Sequence, residues 1–262
     1  AHMNIPVAHI QGGEVSGTID ESIRHAMSKF SNFHFTATDE TKKRLIKMGE
    51  ISKNIFVVGC PSIDALKQEK DENFLKIKKK FKIDIFKDYI LIIQHPVTTE
   101  INNVHNQFVE TIEALKKIKM QKLFVFPNND AGSSKIVKII KKNKFNYCET
   151  LSLKEYKTLL KNTRALVGNS SSGIHEAATY KIPVINIGTR QEGRTKSINV
   201  VDVKYNRKQI YNAINKILKK NFTKKLRFLK NPYGNGNSSQ KIINIIKKLN
   251  LKKFNTQKKI TY

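Results

Sequence analysis

The sequence predicts an α/β protein built from parallel strands with helices on both faces of the sheet. Apolar runs of strand length alternate along the chain with longer segments of helical period. Polar turns bearing glycine, serine or asparagine follow several of those runs, where strands end and helices begin. The clearest unit is VGNSSSGIHEAATYKIPVINIGTRQEGR (167–194), which reads as strand, polar turn, helix and strand, closing on a second glycine-rich turn.

Taken in order, Ala1 to Met3 read as a cloning remnant ahead of Asn4. IPVAHI (5–10) is apolar enough for a strand, and the glycines at 12, 13 and 17 loosen the loop before a helix over 19–30 carrying Asp20, Arg24 and His25. A strand over 33–38, a helix over 40–48 stopped by Gly49, and a strand over 55–58 entering GCPSID follow. These three strand–helix units are too few for a self-sufficient doubly wound sheet. Residues 64–82 read as one lysine-rich amphipathic helix, a linker. A new sheet opens at 89–93 and stops pairing in QHPVTTE, where Pro96 lacks the N–H a ladder needs. Next come a helix over 103–117, a strand over 123–126 into PNNDAG, a helix over 133–142 and a strand near 145–148. Leu153, Tyr156, Leu159 and Leu160 give the following segment a helical stripe. The serine turn then leads into a helix from 174 through 178 and a strand over 183–187. A short strand at 200–201, a helix over 207–219, the turn-rich NPYGNGNSS (231–239), a last helix over 241–249 and a frayed basic end complete the chain. The expected division is 1–66, 67–235 and 236–262, the last being a terminal helix and basic tail.

Composition narrows the function. The formal charge of +28 invites a nucleic-acid reading, but 42 of the 49 basic residues are lysines spread over nearly every helix face, with no recognition-helix, zinc-finger or RNP-type motif. Specific nucleic-acid binding is not expected, although nonspecific attraction to polyanions at low salt is. Cys60 and Cys148 lie far apart without metal-ligand spacing, so buried free thiols are expected rather than a disulfide or zinc site. No apolar run approaches the roughly 20 residues needed to span a bilayer, and no signal peptide precedes the first motif. The expectation is a cytoplasmic protein without membrane attachment.

Chemistry concentrates in the turns HIQGGE, QHPVTT, FPNNDAG, GNSSSG and GTRQEGR. In open α/β sheets such turns at strand carboxyl ends converge on one crevice. A polar turn opening a helix attracts an anion through its N–H groups and dipole. Ser170 to Ser172 add hydroxyl donors, Glu176 can accept from sugar hydroxyls, and Arg190 supplies a cation. Structural alternatives stand beside each residue: serine as N-cap, Asp20 as N-cap, His95 as a satisfied turn histidine, Asn128 with Asp130 as an Asx turn, Arg24 and His25 as packing residues.

HIQGGEVSGTIDESIRHA (9–26), GCPSID (59–64), HPVTTE (95–100), FPNNDAG (126–132), GNSSSGIHEA (168–177) and GTRQEGR (188–194) occur in the order found in one family. On these motifs the chain resembles the hydrolysing UDP-N-acetylglucosamine 2-epimerases of the sialic-acid and legionaminic-acid type, over residues 4 to 249. The resemblance implies a GT-B-like architecture of two Rossmann-type domains, the N-terminal one incomplete here and the C-terminal one complete, with a terminal helix crossing back. It implies elimination of UDP from a UDP-2-acetamido sugar and hydration with inversion at C2, without cofactor or metal. The implied catalytic set is Asp20, His95, Glu14 and Gln11. The implied substrate-binding set is Asn128, Ser170, Ser171, Glu176 and Arg190, with Glu176 on ribose and the serines and Arg190 near the diphosphate. Two departures are visible. Gln11 stands where many relatives have a glutamate, and an amide cannot exchange protons, so that role is dispensed with or moves to Glu14, Asp20 or a water. The family's first glycine-rich strand-turn and its GDR-like aspartate have no counterpart before Asn4, so the chain corresponds to the C-terminal two-thirds of the enzyme. Exposed sheet edges would then favour a homo-oligomer. A non-catalytic nucleotide-sugar-binding fragment and a GT-B glycosyltransferase are the alternatives.

Overall fold

The computed structural model describes residues 2–250 and 256–258. Two parallel sheets carry the fold. Strands β1 (Ala8–Ile10), β2 (Phe33–Thr36) and β3 (Ile55–Val57) form a three-stranded sheet in chain order. They alternate with α1 (Asp20–Phe30), α2 (Asp39–Lys47) and α3 (Pro61–Gln68). After α4 (Phe74–Phe81) comes the larger sheet of β4 (Tyr89–Ile93), β5 (Gln121–Val125), β6 (Asn146–Cys148), β7 (Ala165–Gly168), β8 (Val184–Ile187) and β9 (Val200–Val203). Its helices are α5 (Val104–Lys116), α6 (Ser133–Lys142), α7 (Leu153–Asn162), α8 (Ser172–His175) and α9 (Arg207–Ile217). Two further helices follow, α10 (Lys220–Lys225) and α11 (Ser238–Lys248).

The strand order of the large sheet, β6-β5-β4-β7-β8-β9, is that of a doubly wound nucleotide-binding sheet. The order in which strands are added reverses between the parallel neighbours β4 and β7, and the crevice outside their carboxyl ends is where such sheets bind ligands. Every residue of β4, β7 and β8 is buried, because helices cover both faces. Helices α5, α6 and α9 pack Phe108, Ile112, Ile136, Ile140, Ile210 and Ile214 on one face. Helix α4 and α7 pack Ile77, Phe81, Leu159 and Leu160 on the other. Helix α11 returns to the small sheet, where Ile242 meets Phe35 and Val58. There the Ser239 N–H donates to Asp64 Oδ2 at 2.6 Å.

Several boundaries differ from expectation, each for a local reason. The expected linker helix over 64–82 is two helices, because Asn73 accepts from the N–H groups of Leu75 and Lys76 and starts α4 afresh. The strap between them is tied to α7 by Glu72 N–H to Thr158 Oγ1 at 2.7 Å and by Asp71 to Lys161. The helix expected from 174 through 178 is the four-residue α8 followed by a 3-10 turn, Ala177–Tyr180. Helix α10 carried no clear apolar stripe in the sequence. The end of the chain, expected to fray, is engaged at Thr256 to Lys258: Lys258 Nζ donates to the Ser28 and Ser31 carbonyls and pairs with Glu50. The rest of that end, 251–255 and 259–262, lies outside the described residues. Helix α1 buries only Ser28 and turns Ile23, Met27 and Phe30 outward, an apolar stripe on an accessible surface.

Gly168 ends β7 at φ +138°, and a Cβ there would lie 2.0 Å from the Ile93 carbonyl of the neighbouring strand. Gly168→Ala is expected to lower unfolding stability by roughly 2 kcal/mol or more. Urea denaturation of the two proteins checks this; an unchanged midpoint would contradict the close β4–β7 approach.

Candidate active site

The carboxyl ends of the two sheets face one another across a cavity of about 350 Å³. The small sheet contributes Gln11, Ser16 and Thr18 from the loop after β1, Asp20 and Arg24 from α1, and Cys60 and Ser62 after β3. The large sheet contributes Ser171, His175 and Glu176 after β7, and Arg190, Gln191 and Arg194 after β8. A second cavity of about 500 Å³ adjoins it and shares Glu176. Its polar wall is His95, Asn128, Ser170 and Ser172, and its apolar wall includes Phe126, Leu151, Leu153 and Tyr156.

Asp20 is the first residue of α1, while Ile19 occupies the cap position without a side-chain bond, so Asp20 is not an N-cap. Its exposed carboxylate accepts, among the described residues, from Thr18 Oγ1 at 3.3 Å. Four residues on, Arg24 projects from the same face of the helix. Gln11 adopts a left-handed backbone, φ 62°. Its N–H donates to the Phe35 carbonyl at 2.8 Å and its side-chain amide to Cys60 Sγ. Burial pushes the Cys60 thiol up, so it stays protonated.

Glu14 stands behind the wall rather than on it. It is 3% exposed, and Oε2 lies 3.6 Å from Arg194 Nε. Neither carboxylate oxygen has a hydrogen-bond partner among the described residues. Burial raises its pKa, against the pull of Arg194, Arg24 and Arg44. It is placed as a counter-ion to Arg194 and does not line the cavity.

The large-sheet side is held by Asn169, which is 1% exposed. Its Oδ1 accepts from the His95 N–H at 2.7 Å, and its Nδ2 donates to the His95 carbonyl at 2.9 Å. Its own carbonyl accepts from Arg190 Nη1 at 3.2 Å and Gln191 Nε2 at 2.8 Å. One asparagine therefore fixes the turns after β4, β7 and β8 together. His95 Nδ1 accepts the Asn128 N–H at 3.1 Å. A backbone N–H can only donate, so the proton of the neutral ring is on Nε2. Burial and Arg190 lower the His95 pKa to about 4, so the ring is neutral at neutral pH and donates through Nε2 alone. His175 is lowered further, to about 3, by burial, Arg194 and Arg24. Its Nε2 lies 3.5 Å from Arg194 Nη1, and its ring packs on Tyr233.

Of the residues singled out in the sequence, Gln11, Asp20, Ser171, Glu176 and Arg190 meet in the first cavity, and His95, Asn128 and Ser170 in the second. The serine turn attracts an anion less through a dipole than expected, because α8 is only one turn long and aligned peptides are what build that dipole. Guanidinium groups carry the positive charge instead: Arg24, Arg190 and Arg194 line one cavity. Arg194 and His175 were not assigned from the sequence. The four-residue spacing of Arg190 and Arg194 in one turn, and of Asp20 and Arg24 on one helix, was the available signal.

The geometry defines a cleft between two parallel sheets, lined by Arg24, Arg190 and Arg194. Residues 1–247 match the family described as UDP-N-acetylglucosamine 2-epimerase, and the chain belongs to it. The UDP-N,N'-diacetylbacillosamine 2-epimerase (hydrolyzing) of Legionella pneumophila is 37% identical over 254 residues, 95% of this chain and 66% of its own length. The GDP/UDP-N,N'-diacetylbacillosamine 2-epimerase (hydrolyzing) of Campylobacter jejuni is 35% identical over 216 residues, 78% of this chain and 55% of its own. The fold is shared with the crystal structure of Neisseria meningitidis UDP-GlcNAc 2-epimerase bound to UDP-GlcNAc, at a TM-score of 0.77 and 20% identity, over 95% of this chain and 71% of that one. The chain spans between about half and two-thirds of the length of these curated relatives.

His9, His95 and His175 are held neutral with pKa values lowered to about 4, 4 and 3, by burial first and by neighbouring cationic groups second. The unfolded chain takes up protons at these histidines from about pH 6.5 downward while the folded chain does not. Stability is therefore complete above that pH and falls as pH drops toward 4, by up to about 1.4 kcal/mol per pH unit for each histidine. Urea midpoints at pH 7 and pH 5 measure the loss, and His175→Gln is expected to flatten it.

Proposed function

We propose that this chain carries the active-site cleft of a hydrolysing 2-epimerase acting on a UDP-2-acetamido sugar of the UDP-N-acetylglucosamine or UDP-diacetylbacillosamine type. The products are UDP and a free manno-configured sugar, for nonulosonic (sialic or legionaminic) acid biosynthesis in the cytoplasm. The observation that carries the reading is the shared position of Glu176 between two joined cavities. One holds a carboxylate and three guanidiniums; the other has an apolar wall. A ligand ordered sugar, diphosphate, ribose and base matches that sequence of surfaces.

In this reading Asp20 takes the proton from C2 as the C1–O bond to UDP breaks, leaving a glycal. Arg24, Arg190 and Arg194, with the serine hydroxyls, receive the charge that develops on the diphosphate. Water then adds across the double bond, its hydroxyl to C1 and a proton to C2 on the opposite face, which inverts C2. Gln11 can orient that water but cannot exchange a proton with it, and Glu14 sits behind Arg194 without access. Proton handling falls to Asp20 and solvent. His95, with its proton on Nε2, serves as a donor to the substrate, and Asn128 frames the nucleotide. No metal or cofactor is assigned a step.

UDP release from UDP-GlcNAc and from UDP-diacetylbacillosamine tests the reading. Asp20→Asn is expected to lower the rate roughly 100-fold or more while UDP affinity changes only a few-fold. No UDP release from either substrate, with UDP still bound, would favour a non-catalytic nucleotide-sugar-binding protein. Sugar transfer to an acceptor would favour a GT-B glycosyltransferase.

We assign the expected self-association to the outward apolar face of α1. Phe30→Glu together with Ile23→Glu is expected to lower the mass measured by light scattering to that of one chain; an unchanged oligomer would remove that assignment.

A further inference from the structure

Glu176 sits where α8 breaks into a 3-10 turn, at φ −108° and ψ −39°, so a regular helix does not constrain its side chain. What meets the carboxylate is Tyr156, whose hydroxyl donates to Oε2 at 2.5 Å. Tyr156 comes from α7, an element anchored at several points. Ser152 and Glu155 close its N-terminus in a reciprocal capping box. Leu159 and Leu160 are fully buried beneath the large sheet. Thr158 and Lys161 fasten the strap between α3 and α4 to it. The donor is therefore fixed to the scaffold while the acceptor is not. Burial and the nearby Glu176 charge push the Tyr156 hydroxyl well up, so it remains a donor throughout the neutral range. With Oε2 engaged, Oε1 is the oxygen left for a ligand in the two cavities that Glu176 joins.

We propose that Tyr156 is a positioning residue for ribose recognition: its hydroxyl holds the Glu176 carboxylate where it meets the vicinal hydroxyls of a ribonucleoside diphosphate, and so makes the site select ribose over deoxyribose. This rests on the assignment of Glu176 to the ribose. A carboxylate free to rotate would lose directional bonding to the sugar, whereas one held by a rigid donor offers preformed acceptors and loses less entropy on binding. The phosphate groups meet the serines and arginines and do not depend on this bond.

The test is calorimetric binding of UDP, 2′-deoxy-UDP and pyrophosphate to the wild-type chain, Tyr156→Phe and Glu176→Gln. The wild type is expected to prefer UDP over the deoxy analogue by about tenfold, the scale of one hydrogen bond to a charged group. Tyr156→Phe is expected to weaken UDP about tenfold and reduce that preference to about twofold or less, with pyrophosphate within about twofold of wild type. If Tyr156→Phe keeps wild-type UDP affinity and preference while Glu176→Gln loses them, the Glu176 assignment stands and the role of Tyr156 is overturned. If Tyr156→Phe weakens pyrophosphate equally, its role is general support of the fold and the proposal is likewise overturned. If the wild type shows no ribose preference, or Glu176→Gln retains it, the ribose assignment fails first and Tyr156 with it.

Discussion

The site depends on a backbone interlock between the two sheets. The loop after β1 and the turn after β8 approach so closely that neither tolerates side chains at the contact. A Cβ on Gly17 would lie 2.5 Å from the Thr189 carbonyl, and one on Gly193, at φ +73°, 2.9 Å from the Val15 side chain. Gly17 N–H donates to the Arg190 carbonyl at 3.1 Å, and Arg194 Nε to the Val15 carbonyl at 2.8 Å. These bonds bring the Asp20 end of α1 to face Arg190 and Arg194. The residues that close the cavity are the same ones that join its halves.

Electrostatics follow from that closure. A chain of charge +28 could bind an anion almost anywhere, yet lysine ammonium groups on helix faces are solvated and screened. Arg190 and Arg194 are largely shielded, and burial lowers the pKa of both without removing their charge. Buried cations need compensation, and Glu14 provides it from behind. That carboxylate has no hydrogen-bond partner among the described residues, and burial outweighs its arginine neighbours in setting its pKa. The balance leaves the guanidinium faces toward the cavity available to a diphosphate. His175, kept neutral by burial first and by Arg194 and Arg24 second, adds no competing cation of its own.

Much of this was legible in the sequence, because strands buried on both faces leave unbroken apolar runs. Tyr89 to Ile93 is the strand its composition predicts, and the turn after it is where the crevice opens. Glu176 and Arg190 were singled out because strand-end turns concentrate polar residues that packing does not require, whereas Gln11 and Asp20 were singled out by the family resemblance. Asn169 was not singled out, although it ties three turns together, since its partners, the His95 backbone and the Arg190 and Gln191 side chains, are distant in sequence. Glu14 reads like Asp20 in the sequence, and only the third dimension separates a carboxylate on the wall from one behind it. Tyr156 contributes to an ordinary helical stripe, and nothing in periodicity distinguishes a core tyrosine from one whose hydroxyl reaches a turn 20 residues on. The break between α3 and α4 hinged on one asparagine competing for backbone donors, a local choice that amphipathic period does not report.

Gln11 bears on how the proposed reaction divides its labour. A non-glycine residue in the left-handed region costs about 1 kcal/mol, and it persists where surrounding structure imposes it. Here the imposing contacts are its N–H to Phe35 and its amide to Cys60, a neutral thiol. A carboxylate in that position would face the Cys60 sulfur and the Ser62 hydroxyl around it, a poorer set of partners for a charge than the arginines that serve Glu14. The amide thus suits its surroundings, and the surroundings hold it toward the cavity. In the proposed reaction the exposed Asp20 lies at the edge of the site, while Arg190 and Arg194, proposed to receive the diphosphate, lie deeper. Arg190 and Arg194 are largely shielded from water, and away from it each charge acts more strongly.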